Sequence, residues 1–207
     1  MRVRRAAPRD AEAIGRVAAR SHRAAYEPIV DDERLIEGVE RPDFAADLRT
    51  WLHTVRDRED VIYLVCERRL PPGPFGIVGF VIFTADDGMT ANYVVVDDGT
   101  ALLQSLYVDP DHWGDGIGSR LLAAGVERLP ATVERLKLGV HRDNERALSF
   151  YESRGFEKVG ETTYELDGAS YPTRVLACDI PALEVPVANS PSRSPDRSRP
   201  EQYSSGS

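Results

Sequence analysis

Three glycines at alternate positions, Gly114, Gly116 and Gly118, stand in the segment DHWGDGIGSRLL, directly ahead of an apolar helical pattern. The chemistry open to such a segment is anion binding. N–H groups at a helix start have no intrahelical acceptors, and the helix dipole places partial positive charge there. Glycine lets an anion reach those amides because no Cβ intervenes. Asp115 complicates the picture by placing a carboxylate among them. A cradle of main-chain amides tolerates that charge if the carboxylate points to solvent, at a cost that salt screens. The spacing fits neither the nucleotide P-loop, which ends Gly-Lys-Ser/Thr, nor the dinucleotide G-x-G-x-x-G. A glycine-rich turn with no ligand is the alternative.

The elements around this loop alternate between helical and strand periods. A short strand over Arg2 to Arg5 precedes Asp10, a candidate N-cap, and Ile14, Val17, Ala18 and Ala25 then mark one helical face. DDERLIEGV reads as a short helix; Phe44, Leu48, Trp51, Leu52 and Val55 define an amphipathic one. Strands are expected at Val61 to Glu67 and Ile77 to Thr84, and again in ANYVVV and ALLQSLYV around a DDGT turn. Ile117, Leu121, Leu122, Val126 and Leu129 line a helix that Pro130 ends, and LKLGV is the next strand. Asp143 or Asn144 caps a helix through Tyr151 that stops at Gly155. Two strands, Glu157 to Glu165 and Ser170 to Cys178, close on a hairpin turn in LDGA. The order predicts a mixed α+β fold: one mostly antiparallel sheet of six to seven strands with helices on both faces.

Composition narrows the function classes. The 207 residues suit one buried domain over residues 1–183, and the Ser/Pro/Arg-rich remainder, 184–207, reads as a disordered tail. The formal net charge is −8, with Lys137 and Lys158 the only lysines. An acidic chain lacks the basic density that nucleic acid requires. The longest apolar runs, VIYLVC and GIVGFVIF, are too short to span a bilayer. No apolar secretory core follows MRVRRAAPRD, so a cytoplasmic protein is expected, with no membrane partner. Cys66 and Cys178 form no metal-binding spacing and read as free thiols.

Taken together, these segments resemble the GNAT superfamily of N-acetyltransferases over roughly residues 3 to 180. The family's pyrophosphate loop, Q/R-x-x-G-x-G/A, is matched at Trp113, Gly114, Asp115, Gly116, Ile117 and Gly118, with Trp113 replacing the usual Gln or Arg. The preceding LQSLYVDP is similar to the fourth strand of that fold. HRDNERALSFYESRGFEKVG is similar to its late signature N-x-x-A-x-x-F-Y-x-x-x-G-F, at Asn144, Ala147, Phe150, Tyr151, Gly155 and Phe156. SHRAAYEPIVDDERL looks like the acceptor-side helices of one subgroup.

The resemblance implies acetyl-CoA as cosubstrate, no metal, and a sheet splayed between its fourth and fifth strands. Amides from Gly114 to Ser119 would hold the pyrophosphate, with Trp113 either touching the ligand or anchoring the loop. The backbone of Leu106, Tyr107 and Val108 would pair with the pantetheine arm, while the Leu106 and Val108 side chains pack in the core. Asn144 would cap its helix, contact the cofactor, or do both. Tyr151 would donate a proton to the departing thiolate; an aromatic on a buried helix face is its structural alternative.

The implied reaction is acetyl transfer to a primary amine by direct attack, so a base must take a proton from the ammonium. Leu102 and Leu103 occupy the positions where the family often carries a glutamate. Substitute candidates are Glu27, Asp31 and Asp32, followed by His22 and His141. The acceptor is left open between a small molecule and a peptide amine. A homodimer is compatible with the resemblance. The rival reading is an acyl-CoA-binding module on the same fold with little or no catalysis.

Overall fold

The computed structural model describes residues 1–69, 73, 75–85 and 94–184. In chain order the elements are β1 (Arg2–Arg5), α1 (Ala11–Tyr26), α2 (Arg34–Glu40), α3 (Phe44–Thr54), β2 (Val61–Arg69), β3 (Phe75–Thr84) and β4 (Thr100–Val108). There follow α4 (Ile117–Val126), β5 (Arg135–His141), α5 (Glu145–Glu152), β6 (Glu157–Leu166) and β7 (Ala169–Asp179). The seven strands form one sheet in the order β1-β2-β3-β4-β5-β7-β6. Every neighbouring pair is antiparallel except β4 and β5. This is the mixed α+β architecture that the element order predicts.

Strand alternation divides the core into two layers. From β2 and β3, Ile62, Leu64, Val81 and Phe83 face α4 and α5, where Ile117, Leu121, Leu122 and Leu148 meet them. Tyr63, Val65, Phe80 and Ile82 point the opposite way, onto Ala11, Ile14, Val17 and Ala18 of α1 and Leu52 of α3. Packing in the first layer is tight enough to require a glycine: a Cβ on Gly125 would lie 2.1 Å from the Phe83 ring. The β6–β7 hairpin turns at Asp167 and Gly168, both left-handed (φ 49° and 78°), as a two-residue Asp-Gly turn demands.

Several expectations need correction. ANYVVV is not a strand where it can be seen: Val94 to Val96 lie outside the sheet, and residues 91–93 fall outside the described residues. β3 pairs directly with β4, so no sheet position between them is left for that segment, and β-propensity without a neighbour is not enough. α4 ends at Val126, and isolated turn bonds carry the chain to Leu129. Asp10 does stand at the N-cap of α1, but its carboxylate makes no bond to that helix. A 3-10 turn over Pro8–Asp10 precedes α1, so Asp10 already has helical backbone angles and its side chain folds back to accept from the Ala7 amide at 2.8 Å. Arg4 closes the arrangement at 2.6 and 2.9 Å. The tail lies outside the described residues beyond Glu184, whose amide donates to the Arg154 carbonyl at 3.1 Å. Among the described residues, no helix is long and apolar enough to cross a membrane.

Candidate active site

β4 and β5 pair only through Thr100–Arg135, Ala101–Leu136 and Leu102–Lys137; beyond that point the strands part. The parting coincides with an irregularity on the other edge of β4. Ser105 pairs with Ile82 and Leu103 with Phe83, leaving Gln104 as an extra residue. Such a bulge bends a strand and increases its twist, which turns β4 away from β5. The gap is a cleft of about 310 Å³ with residues 103–108 of β4 as its floor. Gly139 and Val140 of β5 and Ala147, Phe150 and Tyr151 of α5 form one wall, and the loop from Trp113 to Ser119 forms the mouth.

At the mouth, Gly114 and Gly116 have left-handed φ angles of 88° and 74° and open space where a Cβ would point. Among the described residues, the amides of Gly114, Gly116, Ile117, Gly118 and Ser119 have no hydrogen-bond acceptor, whereas the Asp115 amide donates to His112 O at 3.4 Å. A Cβ on Gly118 would press on the Phe150 ring at 3.0 Å. The Asp115 side chain is turned out of the cleft, onto Arg68 of β2, with His112 Nδ1 at 3.6 Å. So the expected escape to solvent takes a different form: the carboxylate is neutralised by a cation. Asp115 is absent from the cleft lining.

The cleft itself holds Arg146 and Arg154 and, among the described residues, no carboxylate, in a chain of net charge −8. Arg154 donates to Ser119 Oγ and to the Phe150 carbonyl, each at 2.5 Å, and stacks over the Phe150 ring. Its Nε is buried with no partner among the described residues, and desolvation lowers its pKa. Trp113 does the anchoring: its Nε1 donates to Val108 O at 2.8 Å, and Arg146 lies 4.2 Å above its ring. Ser21 Oγ of α1 donates to the same carbonyl at 2.7 Å, so the Val108 oxygen is already occupied by protein donors. The Leu106 and Val108 side chains do pack into the α4/α5 layer, and Tyr107 packs into the other.

Asn144 caps α5, its Oδ1 accepting from Ala147 N at 3.1 Å, and also borders the cleft. Tyr151 is buried on the inner wall of the cleft, edge-on to Phe150 and Phe156. Burial first, and then the neighbouring Tyr26, push its phenol pKa upward, so it is a neutral donor at pH 7.

On the other side of β4 lies a second cavity of about 700 Å³, sharing Tyr26, Gln104, Ser105, Tyr107 and Gly139 with the cleft. Of the five candidate bases, Glu27 is exposed beside Arg23, and neither Glu27 nor Asp31 lines either cavity. Asp32 is held by Arg34 and by the Tyr171 hydroxyl at 2.9 Å. His141 and His22 do line the second cavity, and burial holds both below the ordinary histidine pKa. His141 Nδ1 accepts from the Asp143 amide at 3.2 Å, which puts the proton on Nε2. His22 is the converse: Nδ1 lies 3.0 Å from Leu35 O, and a carbonyl only accepts, so Nδ1 carries the proton and Nε2 keeps a lone pair. Its ring packs against Tyr26 and Tyr107, the two aromatics shared by both cavities.

Residues 22–156 match the model of the Acetyltransferase (GNAT) family. The chain belongs to this family. Mycothiol acetyltransferase of Kineococcus radiotolerans is 39% identical over 36% of the chain and 25% of its own length. The peptidyl-lysine N-acetyltransferase YjaB of Escherichia coli is 32% identical over 36% of the chain and 48% of its own length. The aligned stretches thus span about a quarter and about half of these curated relatives. Among solved structures, the PaiA N-acetyltransferase of Thermoplasma acidophilum with coenzyme A superposes with a TM-score of 0.61 at 20% identity, over 86% of this chain and 98% of that one. The ribosomal-protein-alanine N-acetyltransferase of Brucella melitensis gives 0.60 at 21%, over 87% and 100%. At such identities the likeness establishes the GNAT fold.

Sequence reasoning missed Gln104, Arg68, Ser21 and Arg154. A bulge leaves no mark in an apolar run such as ALLQSLYV, and the partners of Arg68 and Ser21 are 47 and 87 residues away. Arg154 did leave a signal: a cation inside the late signature, between Tyr151 and Gly155.

Proposed function

We propose that the protein transfers an acetyl group from acetyl-CoA to a primary amine by direct attack. The observation that carries this reading is the set of amides of Gly114, Gly116, Ile117, Gly118 and Ser119, unpaired among the described residues, at the mouth of the β4/β5 gap, with Tyr151 at its inner wall. Those residues suit acetyl-CoA. The amides and helix start take the diphosphate, Arg146 and Arg154 supply positive charge, and the open β4 edge at Leu106 offers backbone groups to the pantetheine arm, whereas the backbone groups of Tyr107 turn the other way, onto β3 opposite Phe80. Val108 contributes its N–H side and packing alone, since its carbonyl is taken. Trp113 holds the loop against β4, Asn144 orders the first turn of α5, and Asp115 acts only through its backbone conformation.

In the transfer, the amine nitrogen bonds to the acetyl carbon, the carbon–sulfur bond breaks, and Tyr151 donates its phenol proton to the thiolate; the proton that the nitrogen sheds as it becomes an amide restores the phenol. His22 Nε2 accepts the ammonium proton, directly or through a water, because it is neutral and its other nitrogen is fixed on Leu35. Two free buried thiols accord with a reducing, cytoplasmic setting.

The test is thiol release from acetyl-CoA across a panel of amines, with His22→Gln alongside. Turnover with an acid limb centred below the ordinary histidine pKa is expected, and the variant should lose about 100-fold in kcat together with that limb. Coenzyme binding without thiol release for any amine would favour the non-catalytic module. An unchanged acid limb in His22→Gln would remove His22 as the base.

A further inference from the structure

The second cavity carries information about the acceptor, on the understanding that acetyl transfer is the reaction. Its inner wall is a run of rings: Trp51 and Tyr63 at 5.6 Å, Tyr63 and Phe80 at 5.8 Å, Phe80 and Tyr107 at 5.3 Å, and Tyr107 and His22 at 4.8 Å. Facing it, the β6–β7 hairpin presents Tyr164 and Tyr171, whose rings lie 6.1 Å apart. Aliphatic surface from Leu35 and Val39 of α2 and Leu48 of α3 fills the space between. Polar contacts come from Gln104, Ser105 and Thr173, all uncharged.

Its charge differs from that of the coenzyme cleft. Among the described residues no lysine or arginine lines the cavity, and both histidines there are neutral. Glu165 follows Tyr164 in β6 and so turns its carboxylate to the opposite face of the hairpin, where Ser170 Oγ donates to it at 2.7 Å. The pocket therefore stacks flat apolar groups, offers ring faces to a single cationic charge, and has nothing to pair with a carboxylate. A polyamine would want several anions along its length, and the lining offers ring faces in place of anions.

We propose that the acceptor is a monoamine with an aromatic or similarly bulky apolar body and no carboxylate, the chemical class of the arylalkylamines. The ring lies between the Trp51–Tyr107 wall and the hairpin tyrosines. The amine reaches through the passage at Gln104 and Ser105 toward the cleft.

The test compares kcat/KM at saturating acetyl-CoA for phenethylamine, phenylalanine, spermidine and a lysine-containing peptide. Phenethylamine and phenylalanine differ only by the carboxylate. Phenethylamine should exceed phenylalanine by about 100-fold and the others by about tenfold or more. A preference for spermidine, the peptide or phenylalanine would overturn the acceptor class while upholding acetyl transfer. Calorimetric titration of phenethylamine into the coenzyme A-loaded protein separates the two claims when no amine is turned over. Saturable binding weakened by Tyr107→Ala keeps the acceptor class and sinks acetyl transfer, and no binding sinks both.

Discussion

Replacing Arg68 by alanine should weaken coenzyme A binding, although Arg68 lines no part of the cleft. In the native protein Arg68 holds the Asp115 carboxylate away from the unpaired amides. Without it, a net negative charge is released between Gly114 and Gly116, next to the proposed diphosphate position. The two side chains are 38% and 42% exposed, so solvent screens most of the Coulomb energy. Pairs in that setting are worth about 0.2–1 kcal/mol. The loss should therefore be up to roughly fivefold in the dissociation constant at low ionic strength. In 1 M salt, where the screening length is about 3 Å, the difference should nearly vanish. Calorimetric titration of coenzyme A into Arg68→Ala, Asp115→Asn and the double variant checks this without reliance on turnover. Asp115→Asn should bind as well as the native chain or better, and should restore binding in the Arg68→Ala background. If Asp115→Asn alone weakened binding as much as Arg68→Ala, the carboxylate would be part of the cradle and the argument would fail.

Tyr151→Phe should lower kcat about 100-fold while leaving the KM for acetyl-CoA within about twofold, as steady-state kinetics would show, because only the departing thiolate needs the hydroxyl. Gly125→Ala, whose Cβ would lie 2.1 Å from Phe83, should cost about 1–3 kcal/mol and lower the melting temperature by roughly 3–10 °C in a calorimetric scan. Stability should fall on acidification in two stages. His22 and His141 are held below the ordinary histidine pKa by burial, so below about pH 6.5 the unfolded chain takes up protons that the folded chain refuses. Burial pushes the Asp10 carboxyl up, but Arg4 and the Ala7 amide outweigh it and hold the pKa below the usual value, so a further loss sets in below about pH 4. Urea midpoints should rank pH 8 above pH 6 above pH 4; a midpoint at pH 6 equal to that at pH 8 would contradict the histidine part.

The legible parts were those in which one short segment holds the whole signal. The glycine loop, the Asn144 cap, the Asp167–Gly168 turn and the apolar runs of β2 and β3 are local patterns, and each stands where it was expected. What could not be read involves pairs brought together by the fold. The fate of the Asp115 charge depends on Arg68, two strands away in the sheet, and the tautomer of His22 depends on a carbonyl in α2. ANYVVV misled because its composition suits a strand while β4 already occupies the edge of β3. Asp10 has the residue type of a cap, but the 3-10 turn ahead of it redirects its carboxylate.

Because β4 runs between the two openings, the parts of the molecule that build them are largely separate. α4, α5 and the glycine loop frame one, α2, α3 and the β6–β7 hairpin frame the other, and α1 borders both. Altering the rings on the hairpin or on α3 would refit the molecule to a new amine without disturbing its hold on the coenzyme. A scaffold divided in this way can be retailored one half at a time.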